Sequence, residues 1–249
     1  MDRKAVYVIL GATGGIGSAT CRQLKSAGAE LALAARGHER LEALSAELGG
    51  THLGALDATD TAAVESFVAE TADHYGAVDG IVNCVGSILL KAAHLTSDDE
   101  WRSTITTNLD SAFATVRAGA KAMRKNGGSI VLMSTAAARV GLPNHEAIAA
   151  AKAGVIGLGL SAAATYAPKN IRVNVVAPGL VDTPLAAGIT ANPMSLKASE
   201  TMHPLGRIGR PEEVATVISW LLSDSSGWVT GQVIGVDGGL STIRTRPSA

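Results

Sequence analysis

Short, nearly unbroken apolar runs alternate along this chain with longer stretches of helical period. The runs are Ala5–Leu10, Glu30–Ala35, Thr51–Leu56, Gly80–Val85, Ser129–Met133, Arg172–Ala177 and Gln232–Val236. A strand with one solvated face alternates apolar and polar residues, whereas a strand covered on both faces need not. Runs of this kind, separated by helix-length segments, therefore predict a parallel sheet with helices on both sides. The expected architecture is α/β: a doubly wound, seven-stranded parallel sheet in a single domain spanning residues 1–249. Helix starts are signalled at Ser97-Asp98-Asp99-Glu100, a capping box, and at Pro211-Glu212-Glu213, with proline in the first turn. No repeat, low-complexity tract or linker divides the chain. Residues 182–210 contain Pro184, Pro193 and Pro204 and little clean periodicity. They are long for a connection and are expected to form a substrate loop.

The most apolar stretch, Ala147–Ala164, is interrupted by Lys152 and Ser161 and carries Gly154, Gly157 and Gly159. It reads as a buried helix. A helix apolar nearly all round needs cover on two sides, so one face is expected on the sheet and the other on a second subunit of a dimer or tetramer. Composition narrows the partners. With 21 basic and 22 acidic residues, well mixed, and a net charge of -1, there is no basic footprint for nucleic acid or anionic lipid. A small-molecule partner is expected. Cys21 and Cys84 sit in apolar contexts without metal-ligand neighbours, as reduced core thiols do, which suits the cytoplasm and gives no metal site. The start, Met1-Asp2-Arg3-Lys4, runs into a strand too short for a signal peptide or a membrane span.

The first run leads into Gly11-Ala12-Thr13-Gly14-Gly15-Ile16-Gly17 and then a helix. Strand, glycine turn and helix in that order make a phosphate cradle: glycines let the backbone approach a pyrophosphate, which the amides and dipole of the helix start then meet. The spacing departs from G-x-G-x-x-G. At the end of the second strand, where an acid would bind a free ribose 2′-hydroxyl, the chain has Ala35 followed by Arg36. An arginine there suits a 2′-phosphate, so the expected cofactor is NADP(H).

Taken with Asp57, Asn83-Cys84-Val85-Gly86, Asn108, Lys152, Ile171-Arg172-Val173-Asn174, Pro178-Gly179 and Val236-Asp237-Gly238-Gly239, these features resemble the short-chain dehydrogenase/reductase family along essentially the whole chain. The resemblance implies the Rossmann fold and assigns cofactor contacts to Gly11, Thr13, Gly15, Ile16, Gly17 and Arg36 in the first half of the site. It adds Asp57 and Ala58 with Asn83 and Gly86 on the adenine side. It gives Pro178, Gly179, Val181 and Thr183 to the nicotinamide, and Lys152 to the nicotinamide ribose.

The family's signature is Tyr-x-x-x-Lys, the tyrosine acting as proton donor. Here Lys152 is present and the tyrosine position holds Ile148. The family's substrate-orienting serine falls on Thr135, thirteen positions before Ile148, with Ser134 beside it, and its water-holding asparagine on Asn108. His145 lies seven residues before Lys152, two helical turns away. Related enoyl reductases place a tyrosine there, so either His145 or water is the expected donor. The alternative is that His145 only caps the helix. Two functions follow: an NADP(H)-dependent oxidoreductase reducing a carbonyl or enoyl-type double bond, or a non-catalytic NADP(H)-binding sensor or structural subunit.

Overall fold

The computed structural model describes residues 3–244; Met1, Asp2 and residues 245–249 of the expected domain lie outside them. Seven strands form one parallel sheet: β1 (Val6–Leu10), β2 (Glu30–Ala35), β3 (His52–Ala55), β4 (Gly80–Asn83), β5 (Gly128–Met133), β6 (Ile171–Pro178) and β7 (Val233–Val236), in the order β3-β2-β1-β4-β5-β6-β7. The helices between them are α1 (Gly15–Ser26), α2 (His38–Glu47), α3 (Thr61–Tyr75), α4 (Asp98–Ile105), α5 (Ser111–Met123), α6 (Glu146–Tyr166), α7 (Ala187–Thr190), α8 (Pro193–Met202) and α9 (Pro211–Leu222). All seven expected strands are present, with ends shifted by a residue or two.

The unbroken apolar runs have the reason expected of them. Successive strand side chains point to opposite faces, and here both faces are covered. Val8, Leu10, Ile130 and Leu132 enter one core with residues of α3, α5 and α6. Tyr7, Ile9, Val131 and Met133 enter a second with residues of α1, α2 and α9.

Helix α6 belongs to a run, Glu146–Lys169, long and apolar enough to cross a membrane. In this fold its inner side, from Ala147 through Val155 to Ala163, is buried against the sheet. Gly159 sets the distance of approach, since a Cβ there would lie 2.5 Å from Val175 Cγ2. The outer side is open around Leu160, 48% exposed, with Phe113 of α5 51% exposed.

The capping box is formed as expected: Ser97 Oγ accepts from the Glu100 amide at 3.2 Å and the Glu100 carboxylate accepts from the Ser97 amide at 2.8 Å. The segment 182–210 is not the loop expected of it. A 3-10 turn (Pro184–Ala186), α7 and α8 occupy most of it. The start of α8 is written in Asn192-Pro193: Asn192 Oδ1 accepts from the Met194 and Ser195 amides, and the proline at the first helical position needs no partner for an N–H.

Candidate functional site

Strand β1 lies between β2 and β4, so the chain winds away from it in opposite directions and leaves a crevice at the carboxyl ends of the strands. The register pairs Leu10 with both Ala34 and Asn83. Gly11, Arg36 and Cys84 therefore arrive at one edge, where the Gly11 amide donates to Ala34 O at 2.8 Å and the Cys84 amide to Leu10 O at 2.9 Å. The result is a cleft of about 570 Å³ running over the glycine turn.

The turn has no room for side chains. Gly11 takes φ 76°, and a Cβ on it would lie 2.9 Å from the Cys84 carbonyl carbon. On Gly15 it would lie 2.6 Å from Thr183 Cγ2, and on Gly17 it would collide with the Gly11 oxygen. The N-cap of α1, Gly14, offers no side-chain oxygen to the first-turn amides. Those amides sit over an uncluttered cleft, the arrangement that suits a phosphate. Thr13 lines the same wall, whereas Ile16 turns to a second, apolar pocket further along.

At the β2 end both Arg36, just after the strand, and Arg40, in the first turn of α2, are exposed and line the cleft. Arg40 was not singled out from sequence, because it reaches the cleft only through the extended turn at Gly37 that sets where α2 begins. Asp57 lies nearby. Its Oδ1 accepts from the Thr59 amide at 2.9 Å and hydroxyl at 2.8 Å, and these bonds, helped by Arg36, hold its carboxyl below the ordinary range. Ala58 is buried in the same wall. Asn83 shapes the turn from behind: Nδ2 donates to Ser111 Oγ at 3.1 Å and Oδ1 accepts from the Val85 amide at 2.8 Å.

Past Cys84 and Gly86 the cleft continues into an apolar pocket of about 150 Å³, walled by Ile16, Ile88, Met133, Ile148, Leu180 and Leu185. Pro178, Gly179, Val181 and Thr183 also line it; Gly179 is tied to the Val236 carbonyl at 3.1 Å, and Val181 bridges Gly209. Thr183 Oγ1 accepts from the Ala186 amide at 3.3 Å.

One charge lines this pocket. Lys152 is 6% exposed, and its Nζ donates to Met133 O at 2.9 Å. Burial pushes its pKa down to about 8, while burial pushes the adjacent Cys84 thiol up to about 12, so the thiol stays neutral. Asn108 sits in a π turn (Thr106–Asp110) between α4 and α5. Its Oδ1 accepts from the Ser87 amide at 3.1 Å, and its Nδ2 donates to Ser87 Oγ and Thr104 O, both at 2.9 Å. A Cβ on Gly86 would lie 3.1 Å from Asn108 Oδ1 and 3.4 Å from Lys152 Nζ, so a glycine joins these two groups.

The two neighbouring hydroxyls have different tasks. Ser134 Oγ donates to the Lys152 carbonyl at 2.9 Å, anchoring α6 to the end of β5. Thr135 Oγ1 makes only long contacts, 3.3 Å from the Ala137 amide and 3.5 Å from Pro178 O, and lines the pocket. It is the hydroxyl available to a ligand.

His145 is not brought to this group. Asn144 adopts φ 62°, the helix begins one residue after His145, and the histidine Nδ1 lies 2.7 Å from Pro143 O. As the N-cap of α6, with φ -112° and ψ 11°, His145 stands outside the helical geometry on which the two-turn spacing depended. Ile148, 5% exposed, holds the position facing the pocket instead. Among the described residues no cluster of His, Cys, Asp or Glu is suited to a metal ion.

The profile described as enoyl-(acyl carrier protein) reductase matches residues 11–241. A 3-oxoacyl-[acyl-carrier-protein] reductase of Thermotoga maritima is 37% identical over 243 residues, covering 94% of this chain and 97% of that protein. Cis-4-hydroxycyclohexanecarboxylate dehydrogenase of Sinomonas cyclohexanicum is 37% identical over 243 residues, covering 96% and 97%. Among solved structures, a short-chain type dehydrogenase/reductase from Mycobacterium ulcerans superposes with a TM-score of 0.92 at 29% identity, covering 98% of this chain and 92% of that one. An actinorhodin polyketide ketoreductase with NADPH superposes with a TM-score of 0.91 at 28% identity, covering 96% and 98%. Profile, relatives and fold agree, and the chain belongs to the short-chain dehydrogenase/reductase family of oxidoreductases.

Proposed function

We propose that the protein is an NADP(H)-dependent reductase of a carbonyl or an enoyl-type double bond. The observation that carries this reading is Lys152: a buried ammonium at the point where the phosphate-suited cleft opens into a small apolar pocket. The cradle over Gly11–Gly17 would hold the pyrophosphate, and Arg36 with Arg40 the 2′-phosphate. Thr183 and Val181 would hold the nicotinamide side. The NADPH in the ketoreductase structure supports the choice of cofactor. NADPH supplies a hydride when bound.

The chain's own groups provide the rest. An ammonium has three donors, and only one is committed, to Met133 O. Lys152 and Thr135 together stabilise an oxygen that gains negative charge, in a pocket whose other walls are largely hydrocarbon. Asn108 holds the Gly86–Ser87 backbone beside the lysine. Ile148 excludes water from the place of the family's phenol and donates nothing, so the proton comes from the Lys152 ammonium or from solvent. The names of the relatives, a 3-oxoacyl-[acyl-carrier-protein] reductase and a cis-4-hydroxycyclohexanecarboxylate dehydrogenase, support carbonyl–alcohol chemistry.

The buried Ile148 favours a second reading, a non-catalytic NADP(H) sensor or structural subunit. The experiment follows NADPH oxidation with an acetoacetyl thioester, cyclohexanone and cyclohexenone as probes, beside titration with NADPH and NADH. Turnover of at least one probe, and affinity for NADPH falling about tenfold or more in Arg36→Ala/Arg40→Ala, are the expected results. Tight NADPH binding without turnover, in the wild type and in Ile148→Tyr, would select the sensor. Equal affinity for the two cofactors would overturn the NADP(H) assignment.

A further inference from the structure

The walls of the apolar pocket come partly from the segment 182–210, and something must fasten that segment to the sheet. At the end of α8 stands His203, 3% exposed. Its Nε2 accepts from the Leu180 amide at 3.1 Å, and its Nδ1 lies 2.6 Å from the Ser199 carbonyl. An amide only donates and a carbonyl only accepts, so one neutral tautomer, protonated at Nδ1, satisfies both. The ring is closely fitted. A Cβ on Gly179 would collide with Nε2, and one on Gly238 would lie 3.6 Å from His203 Cβ. The imidazole thus joins α8 to the turns that follow β6 and β7. Leu180, whose amide it holds, lines the pocket, as do Val181, Thr183 and Leu185 just after it.

We infer that His203 is a positioning residue that fastens the segment 182–210 over the apolar pocket through the Leu180 amide and so sets the fit of the substrate. This rests on reading that pocket as the reduction site. A ring used only as filler could be replaced by any side chain of similar volume. A ring used as an acceptor can be replaced only by a group that presents an acceptor at Nε2.

Three variants separate these cases. His203→Gln keeps an acceptor near Nε2. His203→Asn keeps a donor near Nδ1 and cannot reach Leu180. His203→Leu keeps volume alone. Amide hydrogen exchange of the cofactor-free protein is the first readout. Exchange at Leu180 and through residues 194–202 is expected to rise about tenfold in the Asn and Leu variants and to stay within about threefold of wild type in the Gln variant, the effect of one buried hydrogen bond. Turnover of the acetoacetyl thioester is the second, with KM rising about tenfold in the Asn and Leu variants and kcat nearly unchanged. Wild-type exchange in His203→Asn would overturn the proposal, as would equal exchange in His203→Gln and His203→Leu. Should Leu fail to fold, the Asn and Gln pair decides. Should the wild type turn over no probe, the reduction reading fails while exchange still tests the fastening role.

Discussion

At Ile148 and Lys152 two neighbouring positions of one helix face differ in what they ask of the fold. Ile148 is a comfortable core residue, whereas Lys152 is a charge held in a hydrocarbon wall. Its folded pKa of about 8 lies below the ordinary 10.5, so between those values the unfolded chain binds more protons and stability rises with pH. Below pH 8 the buried ammonium costs about 3 kcal/mol, at about 1.4 kcal/mol per pH unit, against roughly 1 kcal/mol returned by the bond to Met133 O. Lys152→Met should therefore gain about 2 kcal/mol at pH 7, with the gain shrinking toward pH 10, as melting temperatures across that range would record. On the proposed mechanism the same lysine would make reduction depend on the ammonium. kcat/KM should hold below about pH 8 and fall about tenfold per unit above it, whereas a flat profile to pH 10 would remove the ammonium from the mechanism. Both positions were singled out by the resemblance to the family's Tyr-x-x-x-Lys signature. What the signature could not convey was that Ser134 is occupied with the Lys152 carbonyl while Thr135 makes only long contacts, because that depends on how α6 lies against β5.

Element by element, legibility follows how local the cause is. The capping box and the proline start of α9 are local hydrogen-bond chemistry and appear where the sequence indicates them. The start of α8 was equally local in Asn192-Pro193, but weak periodicity downstream concealed it. Helix α6 shows the opposite case, since its glycines look alike in sequence and differ in their surroundings. A Cβ added to Gly157 would meet nothing within 4 Å, so Gly157→Ala should stabilise by up to about 1 kcal/mol through helix propensity. At Gly159 the same methyl meets Val175, a fully buried strand residue that cannot yield. Overpacking of about 1–3 kcal/mol then outweighs the propensity gain, and Gly159→Ala should destabilise. Urea midpoints of the two variants check both, and a stabilised Gly159→Ala would mean that α6 can lift from β6.

For the molecule as a whole, the open side of α6 poses the question of assembly. Leu160 and Phe113, each about half exposed, flank a long apolar helix whose inner side is already used. A dimer or tetramer that covers this side is the expected state, and light scattering at micromolar concentration should report it, with Leu160→Glu lowering the mass. A monomeric wild type would contradict that expectation. The cleft, too, is a property of the whole sheet: residues far apart in the chain, Arg36, Cys84 and Thr183, share one end of it only because every strand is parallel and β1 lies between β2 and β4.

The fold class and the glycine turn can be read from the chain before it folds, because each is carried by a local pattern, and the resemblance to the family's signature marks Lys152 and Ile148 by a fixed spacing. Other features exist only in the folded molecule: His145 left out of the pocket lining, Thr183 and Cys84 closed against the glycine turn, the Leu180 amide held by His203, and Lys152 facing an apolar pocket. Apart from His145, whose place is decided at the start of its own helix, these depend on the closeness of groups far apart in the chain, which the order of β1, β4, β5 and β6 imposes and no short stretch of sequence contains.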